Sequence, residues 1–368
     1  MIIDKNGFKT LLIEATGINE GKRLPNIDEY ILMLNEESYA FSNISKDGAY
    51  TDNRFDGAFV ANNPDEFGVI LGHEFSPVIY RGQNIDYPNF VPSANRYKNN
   101  SNTQIKKCID WVKKQEFLQL FKTTPYYNRC QEFQVLNCKF KFDLEAIAQH
   151  YEFVSNYLDI TKDLIVAMFF AYTYQKDGKY YPINDFSTYN PTLYIGNLKT
   201  IYKHNPNCLK IIGFQSLLRP IMQQAMAIKI DNEDTVKPLF EKIELPKNQT
   251  FANEIFSKTN CGKTFFPNDF MSNVAQQIKQ EKSLNLELLK EYCHLNELNT
   301  ASLISKLKDN GYETTLKHWQ IPEQAWYGIH REIDDHIIPY LNERIGFRGV
   351  SEPLYRNFAF NSTKTMGE

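Results

Sequence analysis

The sequence predicts an α+β fold: a twisted, mostly antiparallel sheet core with packed helices and a helical C-terminal extension. Three observations lead there. Short β-branched and aromatic runs, each closed by turn residues, recur between positions 58 and 245. Among them, Asp163–Tyr172 is apolar on every side, the pattern of a helix buried against the sheet. Beyond position 281 the apolar spacing becomes helical. The chain divides accordingly into an N-terminal strand and helix segment packed on the core (1–75), a central domain (76–280) and the extension (281–368).

Ile27–Leu34 has the spacing of a short helix, and Ala58–Val60 and Gly68–Ile70 are strands framed by turn residues. Val78-Ile79-Tyr80 is a buried strand that stops at Arg81-Gly82-Gln83. Thr103–Lys122 is an amphipathic helix with Ile105, Cys108, Ile109, Val112, Leu118 and Phe121 on one face. Its lysines at 106, 107, 113 and 114 lie mostly opposite, as a solvated face. A helix over Asp143–Tyr151 carries Gln149 and His150 near its end, and Thr161 or Asp163 caps the buried helix that follows. That cap places Asp159 and Thr161 beside free amides that favour anions; the plainer reading is that they simply satisfy those amides. Strands follow at Thr192–Ile195, Leu209–Phe214, Ala225–Ile230 and Leu239–Leu245, then a helix at Thr250–Lys258. Asn268 caps a helix to about Glu281, and Thr300 caps the second of two helices between 283 and 310, which Gly311 stops. Pro322 begins a last helix toward Arg344, with a break at Pro339.

Composition narrows the function classes. Of 368 residues, 42% are hydrophobic and 23% charged, which excludes wholesale disorder. A net charge of −3 gives no global drive toward nucleic acid, so a basic surface would have to be local. Six cysteines without a Cys-x-x-Cys spacing read as reduced thiols. The N-terminus lacks a leader pattern, and the longest apolar run, Leu164–Ala171, is far below the roughly 20 residues needed to span a bilayer. A cytoplasmic protein without membrane contact is expected.

Ser76–Arg96 carries the chemistry the rest serves. An arginine offers a planar fork of donors for phosphate or carboxylate, and a glycine beside it lets a ligand or a neighbouring backbone come close. Tyr80-Arg81-Gly82-Gln83, with Pro92-Ser93 and Arg96, resembles the opening of the FRG-domain family, named for its (Phe/Tyr)-Arg-Gly motif. Ala148-Gln149-His150-Tyr151 through Asp159-Ile160-Thr161 is similar to that family's A-Q-H-Y-G-L-P-T-R-L-L-D-W-T signature. Ala167–Ala171, Arg219 with Gln223 and Gln224, and Phe265–Asp269 resemble its later segments, so the similarity runs from about Ser76 to Lys279. Four positions depart from it: Glu152 and Ala225 stand for glycine, Val154 for proline, and Asn156 for an arginine whose anion contact is then lost.

Tyr80-Arg81-Gly82 also resembles the first motif of arginine-serine-glutamate ADP-ribosyltransferases. That likeness implies an ADP-ribosyltransferase-like fold and NAD as the cofactor, with arginine holding its phosphate or ribose and a carboxylate offsetting positive charge as the nicotinamide bond breaks. His150 is a candidate acid, base or ribose contact, although a helix-end histidine buried in the core would look the same. The candidate catalytic residues are His150, Asp159 and Gln223, with Gln223 in the late segment where a glutamate is expected and Asp159 as substitute carboxylate. The candidate ligand-binding residues are Arg81, Gly82, Gln83, Arg96, Gln149, Tyr151, Ser155, Thr161 and Arg219.

No metal is expected. Gly262-Lys263-Thr264 has Ser257 where a phosphate loop needs glycine, Phe347-Arg348-Gly349 lacks the motif's context, and His330 and His336 lack metal spacing. The expected activity is transfer of ADP-ribose to a macromolecular acceptor, as a toxin or anti-phage effector, with the C-terminal helices available for self-association. Two other readings stand beside it: a non-catalytic sensor of a nucleotide or phage component, and a nuclease-like toxin using His150 and Asp159.

Overall fold

In the computed structural model, residues 57–63, 66–71, 78–97, 102–131, 134–135, 138–140, 142–197, 200–201, 204–205, 208–212, 217–230 and 236–337 are described. The helix expected over Ile27–Leu34 and the Phe347-Arg348-Gly349 triplet lie outside them.

The strands are β1 (Gly57–Asn63), β2 (Glu66–Leu71), β3 (Val78–Gln83), β4 (Gln134–Val135), β5 (Cys138–Phe140), β6 (Tyr157–Thr161) and β7 (Thr173–Lys176). They continue with β8 (Lys179–Pro182), β9 (Thr192–Asn197), β10 (Leu209–Ile211), β11 (Ala225–Lys229), β12 (Glu241–Glu244), β13 (Ser283–Asn285) and β14 (Glu313–Thr315). The helices are α1 (Thr103–Phe121), α2 (Pro125–Gln131), α3 (Leu144–His150), α4 (Leu164–Tyr172) and α5 (Leu218–Met222). After them come α6 (Gln249–Lys258), α7 (Phe270–Gln280), α8 (Leu286–Leu295), α9 (Thr300–Asp309) and α10 (Glu323–Glu332).

The α+β expectation holds. Six strands form the central sheet in the order β10-β11-β6-β3-β9-β12, every neighbouring pair antiparallel. Strand alternation builds two cores. Val78, Tyr80, Leu193 and Ile195 face α4 and α6, while Ile79, Tyr194, Leu158 and Ile160 face Phe90 and Phe240 on the other side. The strand expected to stop at Arg81 runs on through Gln83, so the polar triplet is part of β3 itself. The two strands expected ahead of it belong to another sheet, ordered β1-β2-β5-β4.

The middle of the central sheet is split. β3 and β6 share a single registered pair, Tyr80 with Thr161. β3 pairs with β9 over six residues, and β6 with β11 over five. Beyond Thr161 the chain turns into α4, whose first turn is capped by Asp163, the side chain accepting from the Ile165 amide at 2.7 Å. α4 lies directly on β3: a Cβ added to Gly82 would sit 1.7 Å from the Ala167 carbonyl oxygen. Glycine at 82 is what lets helix and strand touch.

α1 carries a second, helical core on two faces. Phe117, Leu118, Leu120 and Phe121 pack with α3 and α7, whereas Ile105, Cys108 and Val112 pack with α8 and α9. Lys113, expected on a solvated face, is buried between them. Its ammonium donates to the carbonyls of Lys279 and, at 2.8 Å, Glu281, satisfying the end of α7. Three helix starts shift by one residue from expectation. Asp269 caps α7, Asn299 caps α9, and Pro322 is the capping position of α10. α10 ends at Glu332 in a π-helical turn over Ile333–Ile337. Among the described residues no helix is long and apolar enough to cross a membrane.

Candidate functional site

The split between β3 and β6 opens into a cleft of about 260 Å³. One wall is Tyr80–Asn84 of β3 and the turn after it; another is Asp159–Thr161 of β6. α4 closes the side through Val166, Ala167 and Phe170, and the β7–β8 hairpin adds Thr173, Gln175 and Tyr180. Tyr87 and Arg96 line it as exposed residues.

His150 reaches the cleft from the last turn of α3 and is buried. Its Nδ1 lies 3.1 Å from Oε1 of Gln223, while Nε2 of Gln223 donates to the Phe265 carbonyl at 2.9 Å. That second bond fixes the amide orientation, so Nδ1 is the protonated nitrogen and donates to Gln223. Nε2 is then a lone-pair acceptor, buried and without a partner among the described residues. Burial pushes the imidazole pKa below its ordinary value, against the nearby Asp159 carboxylate and the Gln223 hydrogen bond, which favour the charged form. The ring is neutral at pH 7. A second buried acceptor without a partner among the described residues, Oε1 of Gln83, belongs to another residue of the cleft wall.

Asp159 is held from behind by a polar chain. Gln149 donates its amide to Oδ1 of Asp159 and accepts at Oε1 from the Ser155 hydroxyl at 2.8 Å. Ser155 is pinned in turn by Ser93, which donates to its carbonyl at 3.1 Å and accepts from its amide at 3.0 Å. The Pro-Ser element and the Gln-His element of the sequence thus converge on one carboxylate. Arg81 donates across the split to the backbone carbonyl of Asp159, and its guanidinium lies 5.4 Å from the Phe90 ring centroid. Arg96 donates through Nε to the Val91 carbonyl at 2.8 Å and forms no ion pair with any described carboxylate.

Eight of the twelve candidate residues line the cleft: Arg81, Gly82, Gln83, Arg96, His150, Asp159, Thr161 and Gln223. Thr161 is committed within the fold, donating to the Gln223 carbonyl at 2.7 Å and accepting from the Asp163 amide at 3.0 Å. What comes close at Gly82 is the backbone of α4. Gln149 and Ser155 stand one layer behind. Tyr151 and Arg219 lie elsewhere: Tyr151 donates to Asp269, and Arg219 packs 5.0 Å over the Tyr151 ring while donating to the His150 carbonyl at 3.3 Å. Asn156, where a lost anion contact was expected, faces a different cavity. Phe170, Tyr180 and Tyr87 were missed. The Asp177-Gly178 turn signalled the hairpin that bears Tyr180, but nothing in the sequence says which way that hairpin folds.

Glu152, at the family's glycine position, adopts φ +66°. It is the left-handed residue of a Schellman motif, with Phe153 donating to the Ala148 carbonyl at 3.0 Å and Glu152 to that of Gln149 at 2.8 Å.

Residues 76–179 match the family model of the FRG domain. The match covers the cleft walls from β3 to the start of β8 and leaves out Arg219, Gln223 and Phe265–Asp269. No curated protein and no solved structure matches the chain.

Proposed function

We propose, from the match of residues 76–179 to the FRG-domain model, that the cleft binds a nucleotide by ribose and phosphate and uses NAD for ADP-ribosyl transfer. The observation that carries this is the neutral His150, whose Nε2 is a partnerless acceptor in the same cleft as Asp159 and Arg96. Arg96 offers its guanidinium to a phosphate, and Nε2 accepts from a ribose hydroxyl or takes the proton of an incoming acceptor nucleophile. Phe170 and Tyr180 supply ring faces for a base or nicotinamide. NAD supplies a glycosidic bond whose breakage leaves positive charge on the ribose, and Asp159 is the carboxylate in place to offset it. At about 260 Å³ the cleft falls just below the roughly 300–1,000 Å³ of drug-sized sites. It therefore encloses one half of a dinucleotide, with the other half reaching out past Tyr87 and Arg96.

Calorimetric titration of NAD, with nicotinamide release followed in parallel, tests this. We expect Arg96→Ala to weaken binding about tenfold or more, the worth of a charged hydrogen bond. His150→Gln should retain binding and lower release by about 10²–10⁴-fold. Absence of NAD binding by the unmodified protein would overturn the proposal.

Binding without release would favour the second reading, a recognition protein. Gln223 is the observation on its side. Its amide is engaged at both ends inside the protein, and Asp159 is the only carboxylate among the described residues lining the cleft.

A further inference from the structure

Behind Ser155 lies a second cavity of about 670 Å³, within the roughly 300–1,000 Å³ range of small-molecule sites. α1 forms one wall, Val154–Tyr157 another, and the end of α8 a third. Its lining charges are three lysines (Lys107, Lys114 and Lys229) against two carboxylates, Asp110 and Glu145. Both carboxylates are engaged. Asp110 accepts from the Tyr97 hydroxyl at 2.6 Å, and both oxygens of Glu145 accept from Lys114 at 2.9 Å. The Lys107 ammonium pairs with no carboxylate among the described residues and lies 5.5 Å from the Tyr97 ring centroid. Four aromatic side chains line it as well, Tyr97, Trp111, Tyr157 and Tyr292, with the Trp111 and Tyr292 rings 5.6 Å apart and inclined at 49°.

A cavity that pairs ring faces with a cation suits a ligand that is aromatic at one end and anionic at the other. We propose that it binds a mononucleotide, with the base against Trp111 and Tyr292 and the phosphate on Lys107, as a regulatory site for the cleft. Stacking on aromatic rings provides base affinity without sequence readout, and an ammonium is a usual phosphate partner. The route to the cleft is short. Ser155 lines this cavity and donates to Gln149, and Gln149 donates to Asp159 in the cleft beside His150. A ligand that shifts Ser155 shifts the group holding the Asp159 carboxylate.

AMP titrated against the full chain, read by tryptophan fluorescence, tests the site; Trp111 is one of three tryptophans. We expect a saturable change that Trp111→Phe removes and Lys107→Glu weakens about tenfold or more. Arg96→Ala, at a residue that lines the cleft and not this cavity, should leave it intact. No saturable change would overturn the proposal, as would a change abolished by Arg96→Ala but retained in Lys107→Glu. The link is read from the His150 imidazole resonances, assigned by their loss in His150→Gln. They should move on AMP addition in the unmodified protein and stay fixed in Lys107→Glu. Resonances that stay fixed in both while AMP binds would remove the regulatory half of the proposal. None of these readouts requires NAD to bind, so failure here and failure of the transferase reading are separable.

Discussion

His150 and Gln223 are joined by a hydrogen bond of 3.1 Å that fixes which imidazole nitrogen carries the proton. Gln223, singled out in sequence as a catalytic candidate, is in geometry the residue that orients His150. The pair gives a pH-dependent stability. Burial lowers the folded pKa of His150 below the ordinary value of 6.5, so the unfolded chain binds the proton more readily. Stability is therefore full above about pH 6.5 and is lost as pH falls through the folded value. Urea midpoints between pH 7.5 and 5 should drop less steeply in His150→Gln than in the unmodified protein. Equal slopes would mean that the folded ring takes up its proton over the same pH range as the unfolded one.

Glu116 should behave in the opposite sense. It is buried on α1, one oxygen accepting from the Asn285 amide at 2.9 Å and the other, Oε2, without a partner among the described residues. Burial pushes its carboxyl up to about 7, outweighing the Asn285 hydrogen bond and Lys113, which lower it. The folded state thus holds a proton that the unfolded state releases, and stability falls as pH rises from about 4.5 through about 7. Glu116→Gln should gain stability over the unmodified protein by about 1–3 kcal/mol at pH 8, with the gain shrinking toward pH 5. A pH-independent difference would refute this account.

Gly82→Ala should be severe. A methyl placed 1.7 Å from a helix carbonyl cannot be accommodated by side-chain movement, because the obstacle is backbone. Overpacking usually costs about 1–3 kcal/mol and here should reach or exceed the upper end. Gly178→Ala, where nothing lies within 4 Å, should cost only the left-handed strain of its φ of +72°, about 1–2 kcal/mol. Chemical denaturation of both variants ranks them; the reverse order would mean that α4 does not rest on β3.

Glu152→Gly should stabilise. A non-glycine residue in the left-handed region costs about 1–2 kcal/mol, against up to about 1 kcal/mol for the exposed pair of Glu152 with Lys279 at 2.8 Å. We expect a net gain of about 0.5 kcal/mol, seen as a higher Tm. A lower one would show that the Lys279 pair and the Gln175 contact outweigh the backbone term.

Elements with a strong local signal were legible in the sequence. Asp163–Tyr172 announced a buried helix because no polar face interrupts it, and α4 is that helix within one residue. The polar cleft residues were legible through motif resemblance, since Arg81, Arg96, His150 and Asp159 do meet. What stayed hidden depends on contacts distant in sequence. Lys113 reads as solvated until α7 is seen to end against it, and Tyr180 carries no signal of its own until the β7–β8 hairpin folds over the cleft. Arg219 and Tyr151 carry motif letters yet pack on each other, because a motif records which residues recur and not which way they point.

The single Tyr80–Thr161 pair has a mechanical consequence. The six strands amount to two ladders, β10-β11-β6 and β3-β9-β12, hinged at one residue pair. A molecule seated in the gap touches both, so its binding energy also sets their mutual angle. Amide exchange should then slow out to the outer strands β10 and β12, well beyond any contact with the ligand. In such a sheet the ligand acts as the missing rungs.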